Sequence, residues 1–418
     1  MLANSIFEVL NNPGNVKVTP GIIRIQEVLT LLGNPQNKYK VIHITGSNGK
    51  GSTAAFIETG LYYAGYRVGK FSSPHIKTIN ECICLNQQSI TDNDLEIHFL
   101  QVKQIVDKHN IILSPFELLT AIMFNYFANN NIDYLVLEVG MGGQDDATNV
   151  YPDTSSNVLI SIITNISLEH TAFLGKTLAD ISKAKAGIIK KGLTIVADNM
   201  PELIDAVENK TQNYINVLDY YNFTVHLDYD KFHTIVEINN PNTKDKEIYT
   251  LNLFGKFQAY NFLIAYHTLN YLKIPVQSII YAAGNTHNPG RLEVKEHNPL
   301  LILDTSHNLA GIKTLIDTLE KRFDPDEVVI ITSILADKDI TNMLKELSTI
   351  ASNVICTTIV NNSRCLPIDE LTQIAHRYFK NIKAIAIPDE ALKIARNMNK
   401  KLILVTGSIY LLSYFYIN

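Results

Sequence analysis

Cysteine is scarce in this chain: Cys82, Cys84, Cys356 and Cys365 are the only ones in 418 residues. Four are too few for a disulfide scaffold, and none stands in the paired C-x-x-C spacing of a structural zinc site. Neither sign of charge dominates, since 36 Lys+Arg against 41 Asp+Glu leave a net of −5. That balance argues against a general nucleic-acid binder, which needs a basic excess to meet a phosphate backbone. No apolar run approaches the roughly 18 residues of a membrane span; VLISIIT (158–164) and LLSYFYI (411–417) have the length of a strand or a short helix. The opening MLANSIFEVLNNPGNVK lacks a basic stretch ahead of an apolar core, so no secretory signal is expected. Internal repeats and low-complexity tracts are also missing. These absences set aside a disulfide scaffold, a zinc module, a membrane protein and a disordered tail. A soluble protein of the cytoplasm is expected. What is present is enough apolar sequence, 46%, for sizeable cores, and a length that predicts about two to three domains.

Short β-branched runs alternate with longer amphipathic stretches. KVIHIT (40–45) reads as a buried strand, followed by GSNGKGS and an apolar helical pattern over 53–64. YRVGKF (66–71), IDYLVLEV (132–139) and VLISIIT (158–164) read as further strands, with helices over 92–108, 116–129 and 177–187. Repeated βαβ units imply a mostly parallel sheet with helices on both faces. The rhythm changes over 215–253, where FTVHLDY, HTIVEIN and EIYTLNL alternate with polar turns such as NNPNTKD, a small antiparallel patch expected at the edge of the first domain. A helix is expected over 258–272, and HNPGRLEV (287–294) marks a domain boundary. Beyond it LLILD (300–304), EVVIITS (327–333), NVICTT (353–358), KAIAIP (383–388) and KLILVTG (401–407) recur between helical stretches, as in a second open α/β domain. The expected fold is therefore α/β: a P-loop NTPase-like, mostly parallel sheet domain with a small antiparallel patch over 1–288, and a smaller Rossmann-like α/β domain over 289–418.

Gly46-Ser47-Asn48-Gly49-Lys50-Gly51-Ser52 stands between a strand and a helix. Glycines let backbone N–H groups close around phosphate oxygens, and a lysine offsets the charge of the β and γ phosphates. The following helix adds the positive end of its dipole. Gly51 intervenes between Lys50 and the hydroxyl of Ser52, a departure from the usual G-x-x-x-x-G-K-[ST]. The flanking strand and helix nonetheless make an ATP-binding loop the stronger reading than a plain turn.

Bound ATP needs a hard divalent cation, held by one or two carboxylates with phosphates, hydroxyls and water. Glu138 ends the apolar run LVLE, and ligands of open α/β sheets bind at that carboxyl edge. Alone it reads equally as a solvated strand end; beside a phosphate loop the magnesium reading prevails. His170, Ser73 and Lys185 carry weaker signals. Unaided, they read as a hydrogen-bonded structural histidine, a turn before Pro74 and part of a solvated basic face in KAKAGIIKKG.

Together these segments resemble the folylpolyglutamate synthase/dihydrofolate synthase family of the Mur-type amide ligases. The resemblance runs in order through IIRIQEVLTLLGNPQNKYKVIHITGSNGKGST (22–53), SSPH (72–75), FELLTA (116–121), LEVGMGGQDDATNV (137–150) and TNISLEHTAFLG (164–175). It continues through KAGIIKKG (185–192), GKFQAYN (255–261), PGRLEV (289–294), LDTSHN (303–308), LADKD (335–339) and VTGSIYL (405–411). It implies an ATP-dependent ligase that phosphorylates a folate carboxylate and lets the amine of L-glutamate attack the acyl phosphate. It also implies small-molecule partners and a monomer, with Gly49, Lys50, Gly51 and Ser52 holding ATP phosphates. Ser73 and Glu138 would bind one magnesium ion, Glu138 and His170 a second. Lys185 matches a lysine carbamylated in the family, which turns it into an anionic, carboxylate-like member of the metal site; Asn261 and Arg291 match nucleotide contacts, and Asp304 and His307 match second-domain residues that meet ATP.

The family's usual Asn-Glu-Arg-Ile reads Asn80-Glu81-Cys82-Ile83 here, and Gly-Gly-Arg-Leu-Asp reads Gly142-Gly143-Gln144-Asp145-Asp146. Each change removes a permanent cation with a bidentate fork. The usual Glu before Lys-Ala-Gly is Ala184. Loss of the second arginine and of that glutamate also occurs in members restricted to polyglutamylation, which favours tetrahydrofolate over dihydropteroate as substrate. Cys82 keeps open a ligase acting on another carboxylate and amine. A folate- or nucleotide-binding homologue without catalysis is the other alternative, against which Lys50, Glu138, His170 and Lys185 are all retained.

Overall fold

A computed structural model describes Ile6 and residues 21–239, 241, 245–359 and 362–417. The opening segment apart from Ile6, and positions 240 and 242–244 of the NNPNTKD turn, lie outside the described residues. The chain packs as two units. One comprises Met1–Phe223, Ile238–Glu247 and Tyr260–Thr286; the other comprises Thr224–Glu237, Ile248–Ala259 and His287–Asn418.

The first sheet has eight strands: β1 (Lys40–Thr45), β2 (Val68–Phe71), β3 (Ile83–Leu85), β4 (Gln88–Ser89), β5 (Tyr134–Glu138), β6 (Val158–Ile163), β7 (Leu193–Val196) and β8 (Tyr214–Asn216). Their order is β4-β3-β2-β5-β1-β6-β7-β8. All neighbours from β2 to β8 pair parallel, while β3 and β4 form an antiparallel hairpin at one edge. β5 is buried at every position, as a parallel strand covered on both faces must be, since it has no wet side to alternate toward. β1 lies between β5 and β6, with Ile44 opposite both Glu138 and Ile162. The chain therefore leaves β1 where the sheet's connections diverge to either side, the position at which open α/β sheets bind ligands.

Two helices set this edge. Lys50–Tyr63 is buried from Ser52 through Leu61, and Gly60 lets it approach the helix Lys256–Tyr271 so closely that a Cβ there would stand 2.5 Å from Leu269. Pro115–Asn129 starts in a capping box: the Glu117 N–H donates to Ser114 Oγ at 3.3 Å and the Ser114 N–H donates to Glu117 Oε2 at 2.8 Å. Pro115 occupies its first turn, where a missing N–H costs nothing.

Three further strands, β9 (Asn222–Asp228), β10 (His233–Asn239) and β11 (Lys246–Leu251), make a sheet of their own in the order β11-β10-β9. The sequence placed them at the edge of the first domain. They do not extend the first sheet, and most of their residues belong to the second unit. That unit also holds β12 (Glu293–His297), β13 (Leu300–Leu303), β14 (Val328–Thr332), β15 (Asn353–Cys356), β16 (Asn381–Ala384) and β17 (Leu402–Thr406), ordered β12-β13-β17-β14-β15-β16. Only β12 runs antiparallel to its neighbour. KAIAIP is corrected in place: the strand is Asn381–Ala384, two residues earlier, because Pro388 opens the helix Pro388–Arg396 and leaves 385–387 as its approach.

Ile330, fully buried in β14, belongs to the core of the second unit together with Ile302, Leu404 and Val354. Ile330→Ala should lower stability by about 2–5 kcal/mol through lost burial and an unfilled cavity, read as a fall in the urea midpoint of the second unit.

Candidate functional site

β1 hands the chain to the loop Gly46–Gly49, and the helix begins at Lys50. Gly46 has φ +145° and Gly49 φ +88°. A Cβ would stand 1.9 Å from Thr164 Oγ1 at Gly46, and 2.3 Å from Asn261 Oδ1 at Gly49. Backbone conformation and space both demand glycine there. The loop is stitched to the segment that leaves β6. The Ser47 N–H donates to the Asn165 carbonyl at 2.8 Å, and the Asn48 N–H donates to Asn165 Oδ1 at 2.9 Å. Thr164 Oγ1 donates to the Asn48 carbonyl at 2.6 Å, and the Ser167 N–H donates to Ser47 Oγ at 2.9 Å. Lys50 Nζ donates to the Gly46 carbonyl at 2.8 Å. The result is a preset loop with a lysine folded over it at the start of a 14-residue helix, whose first-turn N–H groups and dipole favour an anion.

The other predicted residues of the first unit stand along the same sheet edge. Glu138 ends β5 in a buried position. Ser73 follows β2, two residues past Phe71, which pairs with Leu137. Behind Glu138 the loop is held by Asp146, whose carboxylate accepts from the Met141 N–H at 2.9 Å and from Thr148 Oγ1 at 2.6 Å. Thr45 Oγ1 donates to the Gly142 carbonyl at 2.5 Å, which ties that loop to β1. His170 is exposed and has φ +46°.

Lys185 corrects the expectation of a solvated basic face. It is 1% exposed, in the last turn of the helix Leu178–Ala186, and Nζ lies 2.7 Å from Glu169 Oε1. Ile181, Ser182 and Ala186 of the same helix are buried too and make this side its inner face. Burial pushes the Lys185 amine down, the Glu169 carboxylate pulls it partly back, and the balance stands at about 8. For Glu169 burial acts upward, but Lys185 and then Lys50 outweigh it and hold the carboxyl at about 2. Glu169 is 11% exposed and faces Lys185, Lys50 and His170, whereas Lys185 is sealed, with Lys50 adding to its downward push and Asp146 adding only a lesser pull to that of Glu169. Sequence reasoning did not single out Glu169, Asn165 or Thr164. They lie within TNISLEH, where strand-end position was the available signal.

Cys82 is buried in the core of the first unit, and burial with the neighbouring Cys84 and carboxylates raises its thiol far above the ordinary range. It is therefore an apolar filler, not a reactive group. Gln144 is exposed; its N–H donates to the Ala184 carbonyl at 2.8 Å. Asn261 is buried in Lys256–Tyr271 beside Gly49.

In the second unit Asp304 follows β13 and accepts from the Leu292 N–H at 3.0 Å and the Ser306 N–H at 2.9 Å. It thereby fixes the turn that carries Arg291. His307 Nδ1 donates to the Thr305 carbonyl at 2.9 Å, which selects its Nδ1-protonated tautomer. Around the carboxyl ends of the adjacent strands β13, β17 and β14 lie Thr305, Thr332, Gly407 and Ser408. The buried hydroxyls of Thr305 and Thr332 have no hydrogen-bond partner among the described residues.

The donor set suits magnesium shared with a nucleotide better than a resident metal. Among the described residues no group of three His, Cys, Asp or Glu could cage an ion, and magnesium commonly uses few protein ligands plus phosphate oxygens and water. Among the described residues, too, no helix is long and apolar enough to cross a membrane.

Residues 44–269 match the Mur ligase middle domain, and 290–409 the Mur ligase glutamate ligase domain. The chain is 30% identical over 414 residues to the dihydrofolate synthase/folylpolyglutamate synthase of Bacillus subtilis, covering 95% of this chain and 94% of that one. It is 32% identical over 405 residues to the folylpolyglutamate synthase of Lacticaseibacillus casei, covering 93% and 92%. The crystal structure of the Thermotoga maritima folylpolyglutamate synthase superposes with a TM-score of 0.84 at 31% identity, over 98% of this chain and 96% of that one. The Mycobacterium tuberculosis folylpolyglutamate synthase complexed with ADP and AMPPCP gives 0.85 at 26%, over 94% of each.

Gly49→Ala should weaken nucleotide binding by more than about tenfold, roughly 1.4 kcal/mol, with the far-UV circular dichroism spectrum unchanged, as titration calorimetry would show. Glu169 has its pKa depressed by folding from 4.5 to about 2, so its stabilisation is complete above pH 4.5 and is lost as the pH falls toward 2. Glu169→Gln should remove that part of the acid slope in urea midpoints. At pH 7 it should cost about 1–3 kcal/mol, because the Lys185 ammonium loses its buried anion.

Proposed function

The chain belongs to the folylpolyglutamate synthase/dihydrofolate synthase family of Mur-type ligases, and from that membership we propose the roles that follow for its residues. It is an ATP-dependent ligase that joins L-glutamate to a folate. The folate carboxylate takes the γ-phosphoryl group of ATP, giving an acyl phosphate and ADP. The glutamate amine then attacks the acyl carbon; the C–N bond forms, phosphate leaves and the amine loses a proton.

The observation that carries the assignment is the loop Gly46–Gly49 locked onto 164–167, with the Lys185–Glu169 pair and Glu138 along the same sheet edge. Phosphoryl transfer asks a protein mainly for positioning and charge neutralisation. Gly46, Ser47, Asn48, Gly49, Gly51 and Ser52 supply the loop for the phosphates, and Lys50 turns its ammonium from the Gly46 carbonyl to them. Asn261, packed on Gly49, borders the nucleotide. Ser73 and Glu138 would hold one magnesium ion and Glu138 with His170 a second, and the metal would supply positive charge to offset that of the phosphates. Lys185 is the carbamylation site. With a pKa of about 8, roughly one amine in ten is neutral at pH 7, and its nitrogen adds to carbon dioxide with loss of a proton. In the second unit Arg291, Asp304 and His307 serve the nucleotide. The unpartnered hydroxyls of Thr305 and Thr332, at the carboxyl edge of a parallel sheet, suit the incoming amino acid.

Gln144 and Ala184, where the family commonly has arginine and glutamate, favour tetrahydrofolate and its glutamylated forms as acceptors. ADP release with magnesium-ATP and L-glutamate, compared across tetrahydrofolate, dihydropteroate and no pterin, is the test. A product from tetrahydrofolate heavier by one glutamyl unit is expected. Addition to dihydropteroate too would make the enzyme bifunctional, and addition to neither would overturn the assignment. Lys50→Met should lower kcat by about 10²–10³ and leave the fold intact.

A further inference from the structure

The turn between β3 and β4 carries two adjacent non-glycine residues in the left-handed region, Asn86 at φ +52° and Gln87 at φ +67°. A two-residue hairpin turn with both central φ positive ordinarily takes Asn followed by Gly, because a side chain at the second position crowds the backbone. Gln87 is exposed, so burial does not account for it. Its hydrogen bonds do. The Gln87 N–H donates to Glu58 Oε1 at 3.2 Å, and Gln87 Nε2 donates to Thr59 Oγ1 at 2.9 Å. Glu58 and Thr59 are buried residues of the helix Lys50–Tyr63, which opens on the phosphate loop. The other Glu58 oxygen holds Lys70 Nζ at 2.5 Å, from within β2. Asn86 closes the far side: its Oδ1 accepts from the Val68 N–H at 2.9 Å, and its own N–H donates to the Val68 carbonyl at 2.8 Å.

The same two strands carry the Ser73 segment at their other end. β2 and β3 pair antiparallel from Gly69 opposite Leu85 to Phe71 opposite Ile83. The Ser72 N–H then donates to the Cys82 carbonyl at 3.0 Å. Residues 73–81 are thus the loop at one end of a short ladder, and the strained turn is bolted to the phosphate-loop helix at the other.

We propose that Gln87, with Glu58, Thr59 and Lys70, is a clamp that fixes the Ser73 loop relative to the phosphate loop, so that nucleotide engaged at Gly46–Ser52 orders residues 73–81. Gln87 touches no substrate; it is a positioning residue. The proposal rests on the reading of 46–52 as the nucleotide site.

Amide hydrogen exchange of 73–81, with and without AMPPCP, tests it in the full chain, alongside calorimetric titration of the same analogue. Gln87→Gly is the informative variant, because it relieves the backbone while deleting the side-chain bond; a plain turn gains from it. The nucleotide should slow exchange of 73–81 in the wild type. In Gln87→Gly and in Thr59→Val that protection should fall at least about threefold although the analogue still binds. Thr59→Ser, which keeps the hydroxyl, should retain it, and the Gln87→Gly/Thr59→Val double variant should be no worse than either single one. Protection that persists in Gln87→Gly, or that is missing from a wild type shown to bind AMPPCP, overturns the clamp. Failure of the wild type to bind AMPPCP overturns instead the nucleotide reading beneath it.

Discussion

The site depends on the absence of a Cβ at Gly46. At that position β1 must turn across the end of β6, and Thr164 Oγ1 occupies the space a side chain would need. Because the approach is so close, five hydrogen bonds form between the loop and 164–167. The loop is thereby organised by contacts within the chain itself, so on the proposed nucleotide reading little ordering entropy opposes binding. The same segment runs on to Glu169 and His170. The stitch that shapes the phosphate loop therefore also sets where the Lys185 partner stands.

Lys185 is built against its own chemistry as a cation. Nothing in KAKAGIIKKG distinguishes it from its neighbours Lys183, Lys190 and Lys191 by charge. Lys190 is buried too, but its ammonium reaches an exposed Asp153 at 3.0 Å and so remains near water. Lys185 instead is closed in with Glu169, where the desolvation of an ammonium is only partly offset by that carboxylate and the more weakly acting Asp146. A lysine so placed is held nearer to its neutral, nucleophilic form than any solvated lysine.

The cysteine at position 82 acquires a different meaning from its surroundings. Seen as a lost arginine it points to altered substrate recognition. In the structure the side chain is sealed in the core that also holds Ile83, Phe71 and Ile90. Lys70, the neighbour of Phe71 in β2, points to the opposite face of the sheet, where it pairs with Glu58 of the helix Lys50–Tyr63. Gln144, by contrast, is exposed, and its structural task is close packing against the turn at Gly187.

Much of the architecture was legible in the residues themselves. The cores of β5 and β14 are continuous runs of Val, Ile and Leu, and β1 keeps the same apolarity on either side of His43, as suits doubly covered parallel strands. Gly46 and Gly49 announce the tight loop between β1 and the helix Lys50–Tyr63, because the backbone freedom it needs is a local property. Pairings over long separations were not legible. That Glu169 would meet Lys185, that Asp304 would cap the Leu292 turn, that Gln87 would reach Thr59, and that β9 to β11 would stand as a separate sheet are all decided by which chain segments tertiary packing brings together. Periodicity and composition carry information about a residue's own element. They carry none about the partner that packing delivers from elsewhere in the chain, and in this protein it is those partners that set the charge of the site.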